Sequence, residues 1–280
     1  MDTYLDCMPC YVRQALDAVR LATDDEAIHE KVLREILQRT AVMDRQTSTV
    51  AMGQQIHRLV RELTGRQDPY RELKDRFNEL ALSLMPEMRQ LVAESDNQLE
   101  TAVRLAIAGN IIDFGVNAAV EDSHLHESIE FALKVPLLGS IEKFAAALDA
   151  ADSILYLADN TGEIVFDRLL VEQLENVTVA VRGGPVINDA TMVDAEFAGL
   201  TDIVRVIDNG NDAPGTILAD CSDEFQHEFE SASLVIAKGQ GNYESLIDSD
   251  KNIAFLLRAK CSVIAHNVGC DLGSFILRMR

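Results

Sequence analysis

Two turns in the second half of the chain concentrate the residue types that bind cations. Asp159 and Asn160 stand in the first turn, ADNTGE, directly after the apolar run 154–158. Arg182 opens the second, RGGPVINDAT, in which Asp189 precedes the next helical pattern. Asp and Asn are also frequent helix N-caps, so each alone has a structural explanation. Brought to one crevice, however, their oxygens suit Mg²⁺ or Mn²⁺, which keep waters and accept a substrate phosphate.

A third turn, KGQGNYES, has the composition of a phosphate site. Lys238 follows an apolar run, and Gly239 and Gly241 precede Asn242. Glycines let backbone N–H groups approach an anion, and lysine supplies a point charge. The first turn adds Gly162 and a helix N-terminus with unpaired N–H groups. The P-loop order of residues is absent, and no G-x-G-x-x-G follows the first strand, so a dinucleotide is disfavoured.

Other polar residues admit two explanations each. Asn110 and Asp113 lie in AGNIIDFG, an otherwise apolar run, where they form a buried cap or point into the cleft. Arg182 either clamps a phosphate or sugar or only borders its turn. The acidic turn 208–212 is better explained by ordinary turn-forming residues.

Strands that alternate with helices are needed to hold these turns. After Ala150, apolar runs that predict strands occur at 154–158, 177–181, 203–207, 234–237 and 263–265. Helical patterns separate them, which predicts βαβ units and a mostly parallel sheet, with 273–278 as a last, edge strand. Ligands bind outside the carboxyl ends of strands in such sheets, so we expect the turns to share one edge.

Helical patterns fill the first 150 residues. They cover 10–21, 28–37, 47–63, 70–91, 99–108, 123–133 and 140–148. Pro86 is expected to kink or end the fourth of them. The chain is therefore predicted to have an N-terminal helical part and a C-terminal α/β part.

Composition limits the partners. A net charge of −21 disfavours nucleic acid and anionic membranes. No apolar run is long enough for a membrane span and the N-terminus lacks signal-peptide character, so we expect a cytoplasmic protein. The five cysteines, an odd number, argue against a disulfide framework. Only Cys7 and Cys10 have suggestive spacing, and packing, metal and redox roles stay open for them.

Five of these stretches together resemble the DUF89 family of damage-control phosphatases. They are CMPCYVRQAL, AGNIIDFG, ADNTGEIVFDRLL, VRGGPVINDAT and AKGQGNYES, in order over essentially the whole chain. The CxxC start resembles the prokaryotic, largely archaeal branch. The resemblance implies an α/β fold in which an N-terminal all-helical region, 1–150, supplies part of the cleft and packs on a C-terminal Rossmann-like, mostly parallel sheet, 151–280.

The resemblance also implies hydrolysis of small phosphate monoesters, such as sugar phosphates or damaged phosphometabolites, with Mg²⁺, Mn²⁺, Co²⁺ or Ni²⁺. It places the metal triad on Asp159, Asn160 and Asp189, the phosphate-side lysine on Lys238, and a further pair on Asn110 and Asp113. The expected catalytic residues are the triad and Asp113. The expected substrate contacts are Lys238, Gly239, Gly241, Asn242, Asn110, Arg182 and Gly162. Whether a metal-activated water or an aspartate attacks phosphorus stays open.

Two other function classes fit parts of the pattern. A binding protein could sense a phosphorylated metabolite through the same cleft without turnover. An S-adenosylmethionine-dependent methyltransferase also uses a Rossmann-like sheet, but ADNTGE has a single glycine and too many acids for an adenosyl cofactor.

Overall fold

One mixed sheet forms the centre of the molecule. The computed structural model describes residues 1, 3–109 and 129–280. The strands are β1 (Leu137–Leu138), β2 (Ile154–Leu157), β3 (Val177–Val181), β4 (Arg205–Asp208), β5 (Leu234–Lys238), β6 (Ile253–Arg258) and β7 (Phe275–Met279). Their order is β1-β7-β6-β5-β2-β3-β4, and β6 and β7 are antiparallel while the other neighbouring pairs are parallel.

Helices precede the sheet and connect its strands. The first group is α1 (Cys7–Ala22), α2 (Glu26–Val42), α3 (Thr49–Thr64), α4 (Arg71–Glu94) and α5 (Gln98–Ala108), and residues 129–134 are also helical. The second group is α6 (Ile141–Asp149), α7 (Glu163–Val171), α8 (Met192–Phe197), α9 (Asp223–Ser231), α10 (Gly239–Leu246) and α11 (Ser262–Val268). Ser48 caps α3, as a serine at that position favours. Pro86 lies inside α4 and does not end it.

Both faces of the sheet are buried, which is typical of parallel sheets. Side chains alternate between the faces along each strand. Tyr156 and Val179 face an apolar layer that includes residues of α4, α5, α6 and α7. Leu155 and Val235 face the opposite layer with residues of α9, α10 and α11. A separate apolar cluster joins α1, α2 and α3.

The crevice of interest lies where the winding of the sheet reverses. After β2 the chain forms β3 and β4 on one side, then returns to form β5 on the other side of β2. The helices that follow β2 and β5, α7 and α10, therefore leave on opposite faces. Such a switch point opens a crevice at the carboxyl ends of the strands.

The mixed α/β fold with a mostly parallel sheet is confirmed, and two strand predictions are wrong. Residues 263–265 lie inside α11, and the strand of that region is β6, which the sequence reading missed. The run IAFLLRAKCSVIA is almost continuously apolar, and periodicity cannot divide a short strand from a helix in such a run. The last strand, β7, exists but lies between β6 and β1, so it is not the edge.

Helices α4 and α5 of the helical half share one core with the sheet. Leucines and alanines of α4 and α5 belong to the same apolar layer as β2 and β3. Strand β1, from before residue 150, pairs with β7. The division at residue 150 stays a prediction, and it does not coincide with a break in this core. No helix of the described ranges has the length and apolar character needed to cross a bilayer.

Candidate active site

The turn after β2 and the loop after β3 are joined backbone to backbone. The N–H of Ala190 donates to the carbonyl of Asp159 at 2.8 Å, and Asn160 forms a β-bridge with Asp189. The loop after β3 therefore folds back along the turn after β2. Asp159, Asn160 and Asp189, which the sequence placed in two separate turns, lie side by side and are all buried.

Arg182 is the shared counter-ion of the two aspartates. Its Nε donates to Asp189 Oδ2 at 2.7 Å, and a terminal nitrogen lies 3.7 Å from Asp159 Oδ1. The other terminal nitrogen donates to Asn242 Oδ1 at 3.1 Å. The side chain of Arg182 is only 3% exposed, so this arginine contacts the two acids from the protein interior. A phosphate clamp by Arg182 stays a prediction.

The two aspartates carry more negative charge than this arginine balances. Burial raises the pKa of Asp159 to about 8, repulsion from Asp189 and Glu163 adds to the shift, and Arg182 opposes it. Burial also raises the pKa of Asp189, against the attraction of Arg182. A nearby cation would stabilise both ionised carboxylates. The electrostatics therefore fit a site that binds a positive ion.

The amide of Asn160 is held in one orientation. Its Nδ2 donates to Asp159 Oδ2 at 2.8 Å and to Glu163 Oε2 at 3.0 Å. An amide nitrogen has two N–H donors, and both are used. Only the carbonyl oxygen of Asn160 is left for a ligand, and an oxygen is what a hard cation binds.

Lys238 is enclosed by the protein instead of facing the crevice. Its ammonium group is wholly buried and donates to Ala106 O at 2.8 Å, to Asp167 Oδ1 at 2.6 Å and to Glu163. Burial alone lowers the pKa of Lys238, yet Asp167 and Glu163 hold it above its ordinary value. All three donors of the ammonium are used. Phosphate binding by Lys238 stays a prediction that requires one of these partners to be released.

Glu163 and Asp167 are further residues of the site, and Asp167 is one that the sequence reading missed. Both lie on α7 and are buried, and both contact Lys238. Burial raises the pKa of Asp167 to about 6, which Lys238 opposes. Two acids four residues apart on an otherwise apolar helix face were the available signal, because such a pair needs a buried partner.

The helical half reaches the site through Asn78 of α4. Its Oδ1 accepts from the N–H of Gly162 at 2.8 Å, and its Nδ2 donates to Asp194 at 2.9 Å. Gly162 has φ +73°, a conformation that favours glycine. The N–H of Gly162 is thus taken by the protein, and its predicted substrate contact stays a prediction. No sequence pattern indicates that Asn78 belongs to the site, because it is one polar residue among many on a long helix.

The glycines after β5 allow close packing. Gly239 has φ +78°, and a β-carbon on it would lie 1.9 Å from Asp159 Oδ2. A β-carbon on Gly241 would lie 1.9 Å from the carbonyl oxygen of Pro214. Asn242 is fully buried, donates to Lys238 O at 2.7 Å and accepts from Arg182. These residues form the wall of the site, and their contact with substrate stays a prediction.

Two predicted residues, Asn110 and Asp113, lie outside the described residues. The acidic turn 208–212 has the structural role expected of it. Asn209 Oδ1 accepts from the N–H groups of Gly183 and Asn211 at 2.9 and 3.0 Å. This side chain therefore ties the turn to the loop after β3.

Comparison with known proteins identifies the family. The family model named damage-control phosphatase ARMT1-like domain matches residues 3–276. The chain belongs to this family. It is 35% identical to a damage-control phosphatase of Archaeoglobus fulgidus, over 98% of this chain and 97% of that protein. It is 33% identical to damage-control phosphatase PH1575 of Pyrococcus horikoshii, over 99% and 97%.

A solved structure gives the same result. The crystal structure of a DUF89 family protein from Pyrococcus horikoshii matches with a TM-score of 0.89 and 32% identity, over 100% of this chain and 99% of that chain. The predicted resemblance to the DUF89 damage-control phosphatases is thereby confirmed. The names of the relatives support a phosphatase, that is a hydrolase, in general terms.

Within this damage-control phosphatase fold, Lys260 is a cation that the sequence reading also missed. It follows β6 and is exposed, and its backbone N–H donates to Gln240 Oε1 at 2.5 Å. Gln240 follows Gly239, which packs against Asp159, so this contact places Lys260 beside the loop that borders the crevice. Among the described residues its side chain has no ion-pair partner, in contrast to Lys238 and Arg182. The sequence reading missed Lys260 because it did not predict β6, the strand that Lys260 follows.

Metal ligation in this family member would depend on an amide. Across residues 1, 3–109 and 129–280, no group of three or more His, Cys, Asp or Glu side chains is arranged to hold a metal ion. The predicted set instead has two carboxylates and the carbonyl of Asn160. The same finding gives no support to a metal site at Cys7 and Cys10, which are free thiols.

Proposed function

We propose that the protein hydrolyses small phosphate monoesters, such as sugar phosphates or damaged phosphometabolites, with a divalent cation held by Asp159, Asn160 and Asp189. The observation that carries this proposal is the pair of buried aspartates that both contact Arg182. Without a further cation, burial holds a proton on Asp159 near neutral pH. When a cation replaces this proton, the two carboxylates offer it both oxygen ligands and negative charge.

The charge balance of the wider site supports a divalent ion. Among the described residues, the carboxylates that direct contacts connect are Asp159, Glu163, Asp167 and Asp189, and the cations connected to them are Arg182 and Lys238. With all of them ionised, these six groups carry a net charge of two negative units. A bound divalent cation would neutralise this charge and would polarise a phosphate oxygen as a Lewis acid.

The chain's own residues organise the reaction around that site. Arg182 fixes the two aspartates relative to each other, and Gly239 leaves room for the carboxylate of Asp159. Our candidate to take a proton from the attacking water is Asp159, with Asp113 as the alternative. Water adds to phosphorus, the ester P–O bond breaks, and the products are an alcohol and inorganic phosphate.

The substrate phosphate needs a cation with unused donors, and Lys260 supplies one. The ammonium of Lys238 donates to protein groups and Arg182 is buried beneath the two aspartates, whereas the side chain of Lys260 is exposed. We propose that Lys260 contacts the phosphate. A hydrogen bond to a charged group contributes about 1.5–3 kcal/mol. The variant Lys260→Ala should therefore lower kcat/KM about 10- to 100-fold, mainly through KM.

Matched variants make this test specific. Lys260→Arg keeps the charge and should retain most activity, and Lys31→Ala removes an exposed lysine on α2 and should change nothing. Unchanged kinetics in Lys260→Ala would remove this lysine from the substrate site.

The proposed activity is tested with the purified, chelator-treated protein. p-Nitrophenyl phosphate and a panel of sugar phosphates are supplied with each of Mg²⁺, Mn²⁺, Co²⁺ and Ni²⁺, and released phosphate is measured. We expect hydrolysis that requires one of these ions. Binding of a phosphorylated metabolite without turnover under every condition would instead indicate a sensor.

A further inference from the structure

A chain of buried contacts connects Lys238 to the predicted cation ligand Asn160. One oxygen of Glu163, Oε1, accepts from Lys238, and the other, Oε2, accepts from Asn160 Nδ2 at 3.0 Å. Glu163 is only 1% exposed, so water does not compete for either contact. Each of the two carboxylate oxygens thus has a specific donor.

We infer that Glu163 is a positioning residue that fixes Asn160 with its carbonyl oxygen toward the cation, and that Lys238 holds Glu163 in place for this purpose. This inference rests on the proposed function, because it concerns the same cation site. It also gives Lys238 a role that its buried position allows without contact with the substrate.

The chemistry of the amide supports this role. Asn160 Nδ2 lies between Asp159 Oδ2 and Glu163 Oε2, at 2.8 and 3.0 Å. If the amide were reversed, its oxygen would face two carboxylate oxygens, and its N–H groups would point at the cation. Both consequences are repulsive, so two acceptors on one side select a single orientation. Asp159 alone would leave one N–H without a partner in a buried place, which Glu163 prevents.

Substitution of Glu163 should remove this selection. In Glu163→Gln, Lys238 keeps the new amide oxygen, and the new amide nitrogen then faces Asn160 Nδ2, donor against donor. Reversal of the Asn160 amide would relieve this contact but would place its oxygen against Asp159 Oδ2, so the carbonyl oxygen of Asn160 is no longer held toward the cation. Loss of an outer partner of a metal ligand typically lowers metal affinity about 10- to 100-fold.

A second variant separates geometry from charge. Glu163→Asp keeps the negative charge but shortens the side chain by one methylene, so it cannot reach both Lys238 and Asn160. If Glu163 acted only through its charge, this variant would bind cations normally. If it positions Asn160, affinity should fall in Glu163→Asp as well.

Asp167→Asn is the matched control. Asp167 lies one turn further along α7, is equally buried and contacts the same Lys238, but it has no contact with Asn160. The amide oxygen of the variant can still accept from the ammonium. Loss of this carboxylate should therefore lower cation affinity less than loss of Glu163, by about threefold or less on the scale of outer-partner effects.

The test is a calorimetric titration of Mn²⁺ into each chelator-treated protein, without substrate. A second readout is the hydrogen exchange of the Asn160 side-chain amide by NMR, which should be slow in the wild type and fast in both Glu163 variants. We expect about 10- to 100-fold weaker Mn²⁺ binding in Glu163→Gln and Glu163→Asp.

The outcomes are distinguishable. Wild-type affinity in Glu163→Asp, or equal losses in Asp167→Asn and Glu163→Gln, would overturn the positioning role while the cation site stands. A wild-type protein that binds no divalent cation at all would overturn the proposed function and this inference together. If Glu163→Gln does not fold, Glu163→Asp and Asp167→Asn decide the question.

Discussion

Two buried aspartates, Asp194 in the first turn of α8 and Asp159 in the turn after β2, show opposite electrostatics. Asp194 accepts from Arg71 at 2.9 Å, from Thr191 N at 2.8 Å, and lies 3.5 Å from the ammonium of Lys74. Burial alone would raise the pKa of Asp194, but Lys74 and these hydrogen bonds hold it below its usual range. Asp159 is buried as well, and its pKa is raised to about 8.

The difference lies in the charged groups that surround each acid. Asp194 lies within ion-pair distance of both Lys74 and Arg71, which also contact Asp68 and Asp75, whereas Arg182 contacts both Asp159 and Asp189. Attraction outweighs burial at Asp194, whereas burial and repulsion from neighbouring acids outweigh attraction at Asp159, as is typical of a functional site. We therefore interpret Asp194 as a structural brace between α4 and α8, and Asp159 as part of a cation site.

The largest expected effect is the loss of phosphatase activity in Asp159→Asn, which Asp194→Asn should not share. Asp159→Asn removes a cation ligand and a carboxylate whose burial is unfavourable, so phosphatase activity should fall by about 10³-fold or more. The free energy of unfolding of the cation-free protein should stay the same or rise, because the acid opposes its own burial. Thermal melting and a phosphate-release assay measure the two quantities, and full activity in this variant would remove Asp159 from the site.

Asp194→Asn should instead lower the stability of the protein and leave its activity largely intact. This change removes the buried carboxylate that Lys74 and Arg71 share and leaves Asp68 as the other carboxylate near Lys74, and loss of one partner of a buried ion pair costs about 3–5 kcal/mol of stability. Protein that stays folded should keep the chemical steps largely intact. Urea denaturation measures the stability, and an unfolding midpoint equal to that of the wild type would contradict the role of a brace.

The pH dependence of stability sharpens the comparison. The pKa of Asp159 is near 4 in the unfolded chain and is raised to about 8 in the folded one. Between these values the folded state binds more protons, so the cation-free protein should lose stability as pH rises from about 4 to about 8. Asp194, with its lowered pKa, contributes stability above about pH 4 that is lost on acidification.

Variants and Mn²⁺ check this sign. Asp159→Asn should flatten the decline between about pH 4 and 8, and Asp194→Asn should leave it in place. Mn²⁺ at a hundred times its dissociation constant should add about 2.7 kcal/mol of stability near pH 8, and less at lower pH where protons compete. A stability of the wild type that rises throughout this range would contradict the raised pKa of Asp159.

A pair of glycines tests the packing around Asp159, with the smallest expected effect. Gly239→Ala places a β-carbon 1.9 Å from Asp159 Oδ2, whereas Gly65, at a similar φ of +72°, has nothing within 4 Å of such a carbon. Both variants should lose about 1–2 kcal/mol of stability from backbone strain. Only Gly239→Ala should also lose activity, by about tenfold or more, because a misplaced ligand weakens the site. Equal kinetics in the two variants would show that Asp159 tolerates displacement.

The sequence predicted the carboxyl-edge turns well because their polar residues interrupt clear apolar runs. Asp159 and Asn160 follow the run that forms β2, and Asp189 lies in the loop after β3, so both loops could be assigned to one edge. The direct contact of these residues depends on a backbone bridge between the two loops, which no periodicity reveals.

The partners of the site were less visible because they come from distant parts of the chain. Asn78 and Ala106 lie on α4 and α5, far in sequence from the residues they contact, Gly162 and Lys238. A lysine beside glycines predicts a phosphate contact equally well whether its side chain points into the crevice or into the protein interior. The acids of α7 decide the direction, since they enclose the ammonium. Lys260 was missed with β6, because that apolar run has no helical or strand period.

The most direct test of the account is to soak a crystal of the protein in Mn²⁺ and to locate the ion by its anomalous scattering. We predict one strong anomalous peak, bonded to oxygens of Asp159, Asn160 and Asp189 at about 2.2 Å, as hard-cation ligation requires. Asn160 should contribute Oδ1, with its Nδ2 still on Glu163. An empty site at these three residues in active, manganese-loaded protein, with the ion bound elsewhere, would contradict the central claim.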